Sequence, residues 1–241
     1  MTVEAVEEVL PTAGRPEAPA VRAMFGGIAG RYDLLNAVLS LGEDRRWRRR
    51  AAQLTRLRAG GRALDVCSGT GALARLLWRR VGPSGSVLGV DITEEMLSLA
   101  ARAVPEVEFR VGDALELPVP ERDFDAVTMA FGLRNIADHQ RALREVWRVL
   151  RPGGRAVILE FSSPRALMRP LYREYSQLVI PKVARLLLGR TGAYRYLTSS
   201  ISAFPGPEVV AGWLRDAGFE RVSYQRMTLG IVALHIGRRP A

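Results

Sequence analysis

The sequence predicts a doubly wound α/β domain built on a mostly parallel sheet, and three observations predict it. Short apolar runs at 63–66, 87–90, 107–111, 126–130 and 156–161 alternate with segments of helical spacing, the periodicity of βαβ units. The runs are nearly continuous in apolar residues instead of alternating, as expected of strands covered on both faces. A glycine loop, Ser68, Gly69, Thr70 and Gly71, falls at the end of the first run and just before a helix, where such folds receive a ligand.

Taken in order, residues 1–20 hold Pro11, Gly14, Pro16 and Pro19 without sustained periodicity and are expected as a mobile tail. A single domain then covers 21–241, since 241 residues suit one decorated domain better than two. Helical spacing runs from 21 to 57, with arginines gathered at Arg45, Arg46, Arg48, Arg49 and Arg50, and Gly60 and Gly61 turn the chain into the first strand. The helix expected at 138–150 is stopped by Arg151, Pro152, Gly153 and Gly154. Residues 164–204 form an insertion too long to be structureless and are expected as a helical cap. A helix at 207–217 and late strands at 219–224 and 231–236 complete the chain.

Composition sets limits. Hydrophobic residues at 48% and charged residues at 25% belong to a globular protein, not to a disordered one. Cys67 is the one cysteine, so no intramolecular disulfide can form; no metal-ligand cluster stands in the sequence, and a reducing cytoplasm fits. The first ten residues carry three glutamates and lack the basic start of a signal peptide. No apolar run reaches the ~18 residues needed to span a bilayer, because Lys182 and Arg185 interrupt the best stretch at 178–188. The net charge of +10 would attract nucleic acid, an anionic membrane or an acidic ligand alike. Lys182 is the single lysine among 35 basic residues, a skew that codon usage explains as well as selection does, so charge does not choose among them.

The glycine loop carries the sharper information. Gly69 and Gly71 let the backbone approach a ligand closely, and Asp91, closing the second strand, can accept both hydroxyls of a ribose. A dinucleotide oxidoreductase satisfies the same pattern, because Gly69, Gly71 and Ala74 fit G-x-G-x-x-A and Asp91 follows at the expected ~20 residues. Two acids favour another ligand. Asp65 sits four residues before Gly69, where it would repel a pyrophosphate and attract the ammonium and sulfonium of S-adenosylmethionine. Asp113, followed by Ala114 after the third strand, is placed to read an adenine edge. Each acid alone is better explained as a turn or helix cap; the three together at consecutive strand ends point to the methyl donor.

Asp65 to Gly71, Asp91 and the run Arg148, Val149, Leu150, Arg151, Pro152, Gly153, Gly154 resemble class I methyltransferases in general. Narrower stretches resemble the menaquinone and ubiquinone biosynthesis C-methyltransferases: Tyr32, Asp33, Leu34, Leu35, Asn36 with Ser40, Gly42, Arg45 and Trp47; Phe131, Gly132, Leu133, Arg134, Asn135; Leu159, Glu160, Phe161, Ser162; and residues 194–205. The similarity covers 24–237. It implies a seven-stranded sheet with the last strand antiparallel, and methyl transfer from S-adenosylmethionine to a ring carbon of a prenylated quinol, a naphthoquinol or a ubiquinone-type benzoquinol. By position it places Thr70, Asp91, Asp113 and Ala114 at the cofactor. The chain departs from the family's habit at Asp44, often histidine, and Ala130, often serine.

Carbon methylation of a quinol needs its hydroxyl ionised, and phenols hold their proton to a pH near ~10, so the site must favour the phenolate, as a cation beside that oxygen would. Arg134, just past the fourth strand at the sheet's carboxyl edge, is the expected catalytic residue; a surface ion pair with Asp138 is its competing role. Tyr32 and Asp33 are placed to close over the cofactor or simply to pack and cap their helix. His139 is expected in solvent and His235 as structural. Leu167, Met168, Leu171, Tyr172, Tyr175, Leu178, Val179 and Ile180, with arginines alongside, give the insertion an amphipathic face suited to the inner membrane surface, a core-facing cap or a homodimer contact. A nucleic-acid methyltransferase would use the positive charge but finds no aromatic-lined RNA module or catalytic cysteine pair; a non-catalytic cofactor-binding protein would keep the acids and show no turnover.

Overall fold

The structure, a computed structural model, describes residues 10–12, 16–162, 164, 174–175 and 192–241. Seven strands form one sheet: β1 (Arg62–Val66), β2 (Ser86–Asp91), β3 (Glu108–Val111), β4 (Phe124–Ala130), β5 (Leu150–Phe161), β6 (Glu220–Met227) and β7 (Val232–Arg238). Their spatial order is β3-β2-β1-β4-β5-β7-β6, with β1 to β5 parallel and β7 antiparallel to both β5 and β6. The chain reverses direction across the sheet between β1 and β4, and ligands of open α/β sheets gather in the crevice such a switch opens.

Alternate residues of each central strand serve two separate cores. Leu64, Val66, Val127, Met129 and Ile158 face one side, where α6 (His139–Val149) supplies Ala142, Leu143 and Val146 and α8 (Pro207–Asp216) supplies Val210 and Leu214. Ala63, Ala126, Val157 and Leu159 face the other, packed by Trp47, Ala51 and Ala52 of α3 (Glu43–Leu54) and Leu73, Ala74 and Leu77 of α4 (Ala72–Val81). Strands buried on both faces thus account for the unbroken apolar runs in the sequence. Helix α5 (Glu94–Ala103) lies between β2 and β3, and α7 (Gly192–Ala203) precedes α8.

Several boundaries differ from expectation, each for a local reason. The stretch read as helical over 21–57 is three helices, α1 (Ala18–Ile28), α2 (Tyr32–Leu39) and α3, because Gly42 takes φ +78° and breaks α2 from α3. Helix α1 starts at Ala18, with Pro19 in its first turn, inside the stretch expected as tail. Strand β5 begins at Leu150, paired with Phe124; regular pairing resumes only at Arg155 opposite Ala126, so the intervening Pro-Gly-Gly run bulges from the sheet. Of the expected cap over 164–204, the structure describes α7 and residues 164 and 174–175; Leu167, Met168, Leu171, Tyr172, Leu178, Val179 and Ile180 lie outside the described residues.

Candidate active site

Two cavities open at the carboxyl edge of the parallel strands. The first, of about 400 Å³, is walled by the ends of β1 to β4: Val66, Cys67 and Gly69, then Asp91, Ile92 and Met96, then Asp113, Ala114 and Leu115, with Ala130 and Gly132 at the back and Pro16 to Pro19 over the top. The second, also about 400 Å³, lies between α1, α2, α3 and α7 and is lined by Met24, Ile28, Leu35, Trp47, Phe161, Ile201 and other apolar side chains, with Asn36, Asp44, Arg48 and Arg134 among them. Phe25, Tyr32 and Phe131 line both, forming a shared aromatic wall.

The glycine loop shapes the first cavity. Gly69, at φ +55°, donates its N–H to Asp91 Oδ2 at 2.8 Å, and a Cβ built there would meet no atom within 4 Å, so the cavity reaches the backbone itself. Gly71 must be glycine for a second reason: at φ +78° a Cβ would stand 3.0 Å from the Phe109 ring. Asp91 Oδ1 accepts from Thr93 N at 2.9 Å, so both its oxygens are fixed while lone pairs remain for two hydroxyls. Burial raises its carboxyl above the usual range against these hydrogen bonds. Asp113 is held by a turn in which its Oδ1 accepts from Leu115 N at 2.8 Å. An apolar slot between Ile92, Met96, Ala114 and Leu115, acids at two strand ends and a backbone surface without side chains fit an adenosine carrying a cationic chain.

The predicted residues do not all meet there. Tyr32, Gly69, Asp91, Asp113 and Ala114 line the first cavity; Asp65, Thr70 and Gly71 do not. Thr70 instead donates its hydroxyl to Asp33 Oδ1 at 2.7 Å, tying α2 to the glycine loop, and the Tyr32 ring meets Phe25 edge-on at 5.9 Å. Asp65 is buried behind the cavity wall, 1% exposed, where its Oδ1 accepts from Thr128 Oγ1 at 2.6 Å. Its Oδ2 has no hydrogen-bond partner among the described residues. Burial pushes this carboxyl up to about 7, with the Thr128 hydrogen bond and the Arg48 charge pulling the other way.

Arg134 lines the second cavity and is buried, yet its partner is not Asp138. Its Nη1 donates to Glu160 Oε1 at 2.9 Å and to Phe131 O at 2.6 Å, and its guanidinium stands 5.1 Å from the Phe161 ring centre. Asp138 instead caps α6, accepting from Arg141 N at 2.8 Å. Glu160 is fully buried and also accepts from the backbone N–H groups of Arg134 and Phe161, a carboxylate with three positions of donors around it. Sequence reasoning gave Glu160 no role, because it lies 26 residues away on the neighbouring strand. Tyr196 was missed likewise: buried on α7, its hydroxyl donates to Asn135 Oδ1 at 3.0 Å beside the same pair. Asp44 forms a buried ion pair with Arg48, whose guanidinium lies 5.4 Å from the Phe131 ring centre.

Neither histidine joins the site. His139, expected in solvent, stacks on Trp213 with ring centres 4.5 Å apart and meets Phe204 edge-on, and burial lowers its basicity. His235 is buried in β7 with Nε2 3.1 Å from Pro207 O; burial pushes its pKa down to about 4.

The doubly wound sheet with an antiparallel seventh strand, and the adenosine-shaped cavity at its switch point, define an S-adenosylmethionine-dependent methyltransferase. Residues 13–239 match the model of the ubiE/COQ5 methyltransferase family. The chain is 49% identical over 222 residues to a demethylmenaquinone methyltransferase of Thermus thermophilus, covering 90% of this chain and 100% of that one. It is 44% identical over 231 residues to a ubiquinone/menaquinone biosynthesis C-methyltransferase of Pseudomonas fluorescens, covering 93% and 90%. The fold is similar to a SAM-dependent methyltransferase from Aquifex aeolicus, with TM-score 0.59 and 21% identity over 79% of this chain and 88% of that one. The chain belongs to the ubiE/COQ5 methyltransferase family.

Proposed function

We propose that the chain methylates a ring carbon of a prenylated naphthoquinol, the reduced form of the demethylmenaquinone for which its Thermus relative is named. The observation that carries this reading is the pair of cavities sharing Phe25, Tyr32 and Phe131, one acid-lined and one apolar, so that a donor and a hydrophobic acceptor can lie against the same aromatic residues from two sides. S-adenosylmethionine, when bound, supplies an electrophilic methyl group on a positively charged sulfur. Asp91, Asp113, Ala114 and the Gly69 backbone hold its nucleoside, with Thr70 securing the loop through Asp33. Asp65 lies beneath with one oxygen unpartnered among the described residues and supplies a carboxyl that the donor's cationic end draws into its ionised form on binding.

In the second cavity two buried donors have no partner among the described residues: Asn36 Nδ2 and Arg134 Nε. Both suit the two ring oxygens of a quinol, and a buried unpaired donor costs about 1–3 kcal/mol until a ligand satisfies it. Arg134 stabilises the phenolate and thereby the carbanion character of the adjacent ring carbon. Glu160 holds the guanidinium in place, and Tyr196 with Asn135 closes the wall behind it. Holding two reactants aligned at the shared aromatic residues can supply ~7–11 kcal/mol of such a barrier. The prenyl tail leads toward the membrane, so the enzyme works at its inner face by peripheral contact; no helix among the described residues is long and apolar enough to cross it.

The test is transfer of labelled methyl from S-adenosylmethionine to demethylmenaquinol, a benzoquinol analogue and RNA, assayed side by side. Label in the naphthoquinol ring, with slower benzoquinol turnover, supports the reading. Label in RNA alone, or tight NADH uptake without donor binding, overturns it.

A further inference from the structure

At the opposite edge of the sheet, where β1, β4 and β5 enter, a cleft of about 550 Å³ opens between the 55–61 loop, Asp125, the bulge of β5 and Arg238. Five arginines line it, Arg56, Arg58, Arg151, Arg155 and Arg238, against one carboxylate, Asp125. That carboxylate is already engaged on both oxygens: Oδ1 with Arg151 at 3.1 Å and Oδ2 with the backbone N–H of Arg62 at 2.7 Å. Arg238, among the described residues, reaches only a carbonyl, Gly153 O at 3.2 Å. Among the described residues, Arg56, Arg58, Arg155 and Arg238 form no ion pair. The crowding is felt within the cleft, since burial first, and then Arg56, Arg238 and Arg221, make the Arg155 guanidinium easier to deprotonate than usual.

Like charges gathered without a countercharge repel one another, and an anion seated among them removes the repulsion while taking bidentate guanidinium hydrogen bonds. We propose that this cleft binds a compact free polyphosphate, a ligand with several anionic oxygens on adjacent phosphates. Two features favour a free anion over a lipid surface. The apolar residues at the cleft are Leu57, Ala59 and Pro152, and Leu57 is buried, so no large apolar side chain is offered to a bilayer. The cleft also lies at the far end of the strands from the acceptor cavity, roughly 17 Å away along the five residues of β1 alone, so a bilayer docked on it would face away from the opening a prenyl tail needs. The site is independent of which quinol is methylated.

The experiment is calorimetric titration of the full chain with inorganic tripolyphosphate, the donor cavity first saturated with S-adenosylhomocysteine. Arg56 sits at φ +57°, so Arg56→Gly removes a charge and relieves backbone strain together, and the fold is retained. Wild type should bind one equivalent; Arg56→Gly with Arg155→Gln should weaken binding at least about 10²-fold, the loss expected for two charge-assisted hydrogen bonds. Arg102→Ser with Arg144→Ser, which removes equal charge from exposed helix faces, should change it less than about twofold. Equal weakening by both pairs, or no binding by wild type, overturns the proposal. So does loss of binding to phosphatidylglycerol vesicles or duplex RNA confined to the cleft pair, which would assign the surface to a lipid or a nucleic acid.

Discussion

The two cavities share three aromatic residues and are otherwise built on opposite principles. The donor side is made by backbone and short acidic side chains at the ends of neighbouring strands, so its chemistry is fixed by the sheet itself. The acceptor side is made by long apolar side chains from α1, α2, α3, α7 and the 228–231 turn, with a few buried polar groups set among them. On the proposed reading, recognition of the nucleoside is local to the fold, whereas recognition of the ring is tertiary and rests on how the N-terminal helices are held over the sheet.

The variant that cuts this contrast most deeply is Arg134→Ala. Turnover should fall at least about 10³-fold while donor affinity stays within about twofold, read by labelled methyl transfer and calorimetry. Because the change leaves Glu160 buried without its cation, Arg134→Ala with Glu160→Gln is made beside it; if the double variant recovers activity, Arg134 acts on the fold and not on the phenolate. Asp91→Ala should invert the pattern, weakening donor binding about 10²-fold through the loss of hydrogen bonds to two hydroxyls. Equal effects of both variants on donor affinity would erase the distinction between the cavities.

A smaller effect falls on Asn36. Asn36→Leu should raise the KM for the quinol about tenfold and leave donor affinity alone, as one hydrogen bond to a ring oxygen is lost; unchanged KM removes Asn36 from the acceptor site. A separate effect, on stability and not on turnover, is the pH dependence of the free protein. The Asp65 carboxyl is raised from 3.8 to about 7 on folding, so its contribution to stability is complete below pH 4 and is lost as pH rises through 7. The span is at most roughly 4 kcal/mol, and relative to wild type Asp65→Asn should gain stability steadily as pH rises from 4 to 7. His235 runs the other way: lowered to about 4, it contributes above pH 6.5 and loses that contribution as pH falls toward 4. A profile of Asp65→Asn identical to wild type places the ionisation elsewhere.

How much was legible follows the same division. The βαβ rhythm, the glycine loop and Asp91 were plain in the sequence because each is set by residues adjacent in the chain or one strand apart. Asp65 was recognised, but its burial behind the wall was not, since that depends on Thr128 across the β1–β4 pairing. Arg134 was chosen from its place after β4, while its true partner, Glu160, could only be found once β4 and β5 were known to lie side by side. The acceptor cavity left no contiguous pattern, because its residues come from segments as far apart as positions 24 and 231. His139 read as polar by its neighbours in sequence and was covered instead by Trp213 from α8. The five arginines of the basic cleft were likewise indistinguishable from the general excess until the sheet gathered them at one edge.

The most direct measurement is a structure of the protein with S-adenosylhomocysteine and a short-tailed naphthoquinol bound together. The ribose should sit on Asp91, the naphthoquinol ring in the apolar cavity with an oxygen within about 3.2 Å of Arg134, and the sulfur should aim at the ring past Phe131. A ring bound outside that cavity, or lying in it with both oxygens turned away from Arg134 and Asn36, would contradict it.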